Sequence, residues 1–225
     1  MRKFILLTEK PWHDDLFKTL SARRGEIWMR ISKSKDFTID TLKEYKPEKI
    51  FIPHWSYIIS NEIWRNYDCV IFHMTDVPFG RGGSPLQNLI VRGFKNTKIS
   101  AIKANEGIDT GDVYLKSDLD LTGTAKEIFK RSVPLIQKMI SSIIDFELKP
   151  APQKGEAVEF TRRKPEQSDI SALKYISDVY DHIRMMDCDD YPKAFLETAY
   201  FKYEFTDCEV ASDNSLKANV RIFKK

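Results

Sequence analysis

The chain has 225 residues, 42% hydrophobic and 31% charged, with 36 Lys and Arg against 33 Asp and Glu for a net charge of +3. That length builds a hydrophobic core without disulfides, and the charge lacks the clustered basic stripe of a dedicated binder of long nucleic acid. Cys69, Cys188 and Cys208 lie far apart with no Cys-x-x-Cys, the pattern of reduced thiols in a cytoplasmic protein, and no apolar run reaches the ~20 residues of a membrane span.

Lys3 to Thr8 is a continuous apolar run, as in a strand buried on both faces. It is too short for a secretory leader, and Glu9-Lys10-Pro11 follows with no small-residue cleavage site. Residues 12–24 read as a helix with Leu16, Phe17 and Leu20 on one face and Gly25 as its stop. Glu26 to Ile31 reads as a strand, and residues 36–46 as a weaker helix ending before Pro47. Lys49 to Ile52 is a strand closed by Pro53; residues 61–66 form a brief helix and residues 68–73 the next buried strand. Ser84 is placed to cap a helix with Pro85 at its first position and Gly93 beyond its end. Residues 98–104 and 112–116 read as strands. Residues 124–148 are the longest helical pattern, with a Thr124/Glu127 capping box and Pro134 inside. Alternation of strand and helix to about residue 100 predicts an α/β fold with a largely parallel sheet flanked by helices. Residues 149–155 read as a linker. Beyond it, a helix over 170–186 and alternating strands over 199–208 and 216–223 predict a small α+β appendage. The expected division is a core over 1–148 and a linker with C-terminal subdomain over 149–225.

The most informative stretch runs from Val70 to Gln87. An apolar strand ends on His73, at the carboxyl edge of a parallel sheet, where α/β folds bind ligands. Phe79-Gly80-Arg81-Gly82-Gly83-Ser84 follows and leads into a helix start. It does not follow the first strand, so it is a poor fit to a dinucleotide fingerprint. Downstream, Asp109 lies in a loop between Gly107 and Gly111.

His73-Met74-Thr75-Asp76-Val77-Pro78 resembles the His-x-Ser-x-Leu-Pro segment of the 10-formyltetrahydrofolate-dependent formyltransferases, with Thr75 in the Ser place. Ile108-Asp109-Thr110-Gly111 is similar to that family's Leu-Asp-x-Gly loop, which supplies its catalytic aspartate. The resemblance implies a Rossmann-like core of formyltransferase type, catalysis by His73 and Asp109, and 10-formyltetrahydrofolate as co-substrate with no metal. Trp55, Ser56, Tyr57, Ile58, Ile59 and Ile108 would line the donor pocket; Arg81, Gly82, Gly83, Lys103 and Arg162 would meet the acceptor.

Phe72 to Asp76 with Phe79 to Pro85 is most similar to the sugar N-formyltransferase branch, notably the pseudaminic-acid pathway type. A later segment, Arg184 to Asp187 with Asp190 to Phe195, resembles bacterial members of that branch. This implies a nucleotide-linked amino-deoxysugar as acceptor, with Arg162-Arg163-Lys164 supplying charge for its diphosphate, no membrane partner and nucleic acid disfavoured. The chain is also short for a methionyl-tRNA formyltransferase with a full second domain. Formylation of an aminoacyl group, on a peptide-synthetase carrier or on methionyl-tRNA, is the alternative acceptor; a noncatalytic folate binder is a third reading. The oligomeric state stays open between monomer and homodimer. One departure stands out: the family's Asn two residues before the histidine is replaced by Ile71, which donates no hydrogen bond. His73 itself, His54, Asn105 and backbone N–H groups near Gly82 and Gly83 are the alternatives.

Overall fold

The computed structural model describes residues 1–189 and 191–225; Asp190, in the segment likened to sugar N-formyltransferases, lies outside the described residues. The chain clusters into two units: residues 1–82, 98–119 and 130–159, and residues 83–97, 120–129 and 160–225.

The first unit is built on a sheet of β1 (Arg2–Thr8), β2 (Glu26–Ile31), β3 (Lys49–His54), β4 (Cys69–His73), β6 (Asn96–Lys103) and β7 (Val113–Asp120), in the order β2-β1-β3-β4-β6-β7. β1 pairs in parallel with β2 and β3, and β3 with β4; β6 then runs antiparallel to β4, so the sheet is mixed but largely parallel. Alternating side chains serve two cores. Ile5, Leu7, Ile31, Ile50 and Ile52 pack beneath Leu42 of α2 (Ile39–Tyr45) and Ile63 of α3 (Asn61–Asn66). The other side carries the rings of Phe4, Trp28, Phe51 and Phe72, neighbours at 5.0 to 6.4 Å. Each such fully buried side chain stabilises the fold by about 1.5–3 kcal/mol, and a one-residue slip would exchange the two faces, so register is firmly set.

Several boundaries differ from expectation. β3 continues through Pro53 to His54, because the β1–β3 register slips between Leu6 and Thr8 and the ladder does not need the missing N–H. The predicted helix over 12–24 is a 3-10 turn, Pro11–His13, followed by α1 (Asp14–Ser21). The glycine-rich stretch contains a short strand, β5 (Phe79–Gly82), paired with β8 (Val158–Phe160). The linker is pinned at Ala151, which exchanges both backbone hydrogen bonds with Val113 at 2.8 and 2.9 Å. The Thr124/Glu127 capping box forms as expected at the start of α5 (Ala125–Asp145), which contains Pro134.

In the second unit, α4 (Pro85–Ile90) packs with α6 (Ile176–Met186), and Gln87 Nε2 donates to the Met185 carbonyl at 3.2 Å. α6 covers an antiparallel sheet of β9 (Ala194–Glu197), β10 (Phe201–Val210) and β11 (Leu216–Lys224) around Ile183, Ala194 and Cys208. The sequence pattern shows β10 and β11 but not the short β9. Ser84 does not cap α4: it adopts a left-handed φ of 51°, and its Oγ accepts the Arg163 N–H at 3.1 Å. Among the described residues no helix is long and apolar enough to cross a membrane.

Candidate active site

His73 ends β4 at the carboxyl edge of the sheet, 7% exposed. Its Nε2 lies 2.8 Å from the Gly80 carbonyl oxygen. That oxygen can only accept, so Nε2 carries the hydrogen. Thr75, fully buried, donates its Oγ1–H to the same carbonyl at 3.2 Å, filling both lone pairs. Ser100 on β6 in turn donates to the Thr75 carbonyl at 2.6 Å. Gly80 and Gly82 adopt φ of 77° and 102°, open to glycine and strained for other residues, which lets β5 fold back over the histidine.

Nδ1 of His73 faces Asp109, with Oδ2 at 3.3 Å. Asp109 sits in the loop between β6 and β7 with a left-handed φ of 54°. Its Oδ2 accepts the Gly82 N–H at 2.9 Å, so the carboxylate bridges histidine and β5. Gly111 closes the loop: a Cβ there would lie 1.6 Å from the Lys103 carbonyl oxygen, so no other residue fits unchanged.

Arg81 is engaged within the protein, with Nε and Nη2 both donating to Gln153 Oε1 at 3.1 and 2.8 Å. Gln153 Nε2 donates to the Asp109 and Gly111 carbonyls, each at 2.8 Å. Sequence reasoning missed Gln153, which lies in the proline-containing linker; no local pattern marks it. Gly83 and Arg162 belong to the second unit, where a Cβ on Gly83 would lie 2.5 Å from Arg162 Cβ, so the glycine permits close chain approach.

The loop after β3 holds Trp55 to Ile59. Trp55 packs edge-on to Phe37 at 6.1 Å and beside Tyr57 at 5.3 Å. Ser56 Oγ donates to the Glu9 carboxylate. Ile59 is half-buried against the isoleucine core, whereas Ile58 is 90% exposed and Ile108 68%. A cavity of about 380 Å³ adjoins the Asp109 loop, lined by Trp64, Arg65, Lys103, Ala104, Asn105, Gly111 and Asp112. Lys103 is therefore at this cavity.

Ile71, on the same side of β4 as His73, packs into the isoleucine core. Of the groups that could supply its missing donor, Gly82 N–H is given to Asp109 and His73 Nε2 to Gly80. His54 stands edge-on to Trp12 at 5.7 Å, and burial, helped by Lys10, pushes its pKa down to about 4. Asn105 accepts from Thr110 Oγ1 at 2.8 Å through its amide oxygen, which turns that oxygen to Thr110 and leaves Nδ2 as the donor end.

This fold is shared by a class of known enzymes. Residues 165–223 match the methionyl-tRNA formyltransferase C-terminal domain. A structure of methionyl-tRNA formyltransferase from Clostridium thermocellum is 44% identical, covers 100% of both chains and superposes with a TM-score of 0.97. A methionyl-tRNA formyltransferase of Clostridium botulinum is 27% identical over 168 residues, 71% of this chain. A 4-N formyltransferase from Francisella tularensis is 13% identical, covers 97% of this chain and 96% of its own, and superposes at a TM-score of 0.67. The chain belongs to the formyltransferase family. Within that family its likeness is to methionyl-tRNA formyltransferases, although it spans about half the length of the curated relatives it matches.

The expected nucleotide-linked amino-sugar acceptor, and with it the pseudaminic-acid assignment, is overturned by the contrast between 44% and 13% identity. The disfavouring of nucleic acid falls with it. Shortness was a poor guide, because the Clostridium thermocellum structure is matched over its whole length.

Proposed function

We propose that the chain transfers a formyl group from 10-formyltetrahydrofolate to the α-amine of methionyl-tRNA. The reading rests above all on the His73–Asp109 pair at 3.3 Å, in a chain 44% identical end to end to a methionyl-tRNA formyltransferase.

The neutral amine attacks the formyl carbon of the donor, and the carbonyl π electrons move to oxygen. The tetrahedral intermediate collapses by breaking the bond from that carbon to N10 of the folate. The nitrogen of the former amine loses a proton and N10 gains one, giving N-formylmethionyl-tRNA and tetrahydrofolate. Asp109 is the acceptor for the amine's proton, since its carboxylate is held by Gly82 and faces the imidazole. Through Nδ1, His73 shares the transferred proton with Asp109, and Asn105 Nδ2 is the remaining side-chain donor for the oxyanion. The cavity lined by Trp64, Asn105 and Gly111 offers a flat apolar wall, backbone groups and an amide donor, a combination suited to a pterin ring. Trp55 to Ile59 and Ile108 would extend the donor site, with Lys103 toward the anionic tail of the folate.

The test is incubation with 10-formyltetrahydrofolate and methionyl-tRNA, scored by mass spectrometry of the aminoacyl group. Formylmethionyl product with stoichiometric tetrahydrofolate is expected. A folded, folate-binding chain that leaves methionyl-tRNA untouched would overturn the reading.

A further inference from the structure

The carboxamide of Gln153 has its full hydrogen-bonding capacity in use. Nε2 donates to two carbonyl oxygens, those of Asp109 and Gly111, and Oε1 accepts twice from Arg81. A carbonyl only accepts and a guanidinium only donates, so the orientation of the amide is fixed by its partners. Few residue types meet both demands. Glutamate has no hydrogen for the carbonyls, asparagine is one methylene shorter, and a cationic side chain would face Arg81.

The groups joined by this amide are those that shape the site. Arg81 lies on β5 between Gly80, which accepts from His73, and Gly82, which donates to Asp109. Asp109 and Gly111 lie on the opposing loop, where Asp109 holds a left-handed backbone that needs outside support. Backbone carbonyl and side-chain carboxylate of Asp109 are thus held from two directions. We infer that Gln153 is a positioning residue, which sets the distance between His73 and Asp109 by locking the Asp109 loop to Arg81 of β5. Its kinetic consequence rests on the proposed formyl transfer; its structural consequence does not.

The experiment uses the full chain with Gln153→Ala, Gln153→Glu and Arg81→Ala. The first readout is amide hydrogen exchange of Gly82, whose N–H reports on Asp109. Exchange should accelerate ~10-fold or more in both Gln153 variants, while exchange of buried β1 and β3 amides and the melting temperature stay at wild-type values. The second readout is steady-state formylation of methionyl-tRNA. A loosened loop misplaces the carboxylate, so kcat should fall on the order of 100-fold with KM for either substrate little changed. Gln153→Ala and Arg81→Ala combined should cost no more than either alone, because they break one connection. Gln153→Glu keeps the link to Arg81 and loses the one to the loop, so it serves if Gln153→Ala does not fold. Unchanged Gly82 protection, or wild-type kcat in a folded variant, would overturn the proposal. If the wild-type chain forms no formylmethionyl product, the catalytic reading fails, and Gly82 exchange still decides whether Gln153 holds the loop.

Discussion

Asp109 and His73 meet at 3.3 Å through Oδ2 and Nδ1, and the same carboxylate oxygen accepts the Gly82 N–H at 2.9 Å. The aspartate is therefore tied to backbone and poised against the imidazole, which suits a group that receives a proton in a fixed place. Asp109→Asn keeps an acceptor for Gly82 and removes the charge. Its kcat should drop ~100- to 1000-fold, the range seen when a single charge-stabilising group is lost. Asp112, exposed at the cavity rim with its carbonyl on the Lys103 N–H, should tolerate the same change. Comparable kcat losses in the two variants would remove Asp109 from the mechanism.

His73 is tied to Gly80 through the nitrogen opposite Asp109. His73→Gln places an amide in similar space without a group that can share a proton between two nitrogens. Turnover should fall by about the same ~100- to 1000-fold while the melting temperature changes little. His73→Ala should lose as much turnover and also stability, since a buried Gly80 carbonyl keeps only Thr75 as partner. Wild-type turnover in a folded His73→Ala protein would defeat the mechanism.

The legible parts of this molecule were those with local causes. Continuous apolar runs buried on both faces mark β1 and β4, and the Thr124/Glu127 box marks the start of α5. His73 and Asp109 were singled out from the short motifs around them, and the fold brings the two side chains to 3.3 Å. β5 and β8 were not legible, since each is held by pairing with a distant segment, and β9, which pairs with the neighbouring β10, is only four residues long with little apolar alternation. Gln153 acts on a loop 44 residues away, a relation no local pattern encodes. The acceptor was misread because it was drawn from a short motif, Phe72 to Pro85, whereas the 44% identity that overturned it runs the length of the chain.

Gly111 offers a stability test of the site's architecture. Its missing side chain admits the Lys103 carbonyl, and an added Cβ would stand 1.6 Å from that oxygen. Gly111→Ala should destabilise by about 1–3 kcal/mol as the loop shifts to relieve the clash. Denaturant unfolding reads the cost directly. An unchanged midpoint would mean that the loop moves freely and that its close approach to Lys103 is dispensable.

Two buried histidines near the carboxyl ends of β1 and β3 predict a loss of stability in acid. His13 is 1% exposed with Nδ1 2.7 Å from Thr8 Oγ1, and burial, with His54 and Arg30 adding to it against a smaller opposing effect of Asp14, pushes its pKa down to about 3. His54 is lowered to about 4, again chiefly by burial. Both are neutral in the folded chain and take up a proton near pH ~6.5 when unfolded. The unfolded state therefore binds more protons, so stability is full above pH ~6.5 and is lost as pH falls toward the folded values. Chemical denaturation between pH 7 and 4.5 should show the loss beginning near pH ~6.5, with a slope of up to about 1.4 kcal/mol per unit from His13 alone. In His13→Gln that component should vanish; a slope unchanged by the substitution would locate the acid sensitivity elsewhere.

The acceptor can be tested by its salt dependence. A nucleic acid held by several cations releases counterions on binding, so affinity falls steeply with salt, whereas a small neutral amine is indifferent. Arg162 and Lys164 are exposed beside Arg163, and the three form the densest basic run that precedes the matched C-terminal segment. KM for methionyl-tRNA should rise on the order of 10-fold between 50 and 200 mM salt, while KM for the folate donor moves far less. Arg162→Ala with Lys164→Ala should weaken the acceptor and flatten the plot of log KM against log salt, because each lost phosphate contact lowers the slope by about one. Neither residue lies in the His73–Asp109 pair, so kcat at saturating methionyl-tRNA should be unaffected. A KM insensitive to salt would argue against an RNA acceptor; a steep dependence that survives the double substitution would move the RNA-binding surface away from this run.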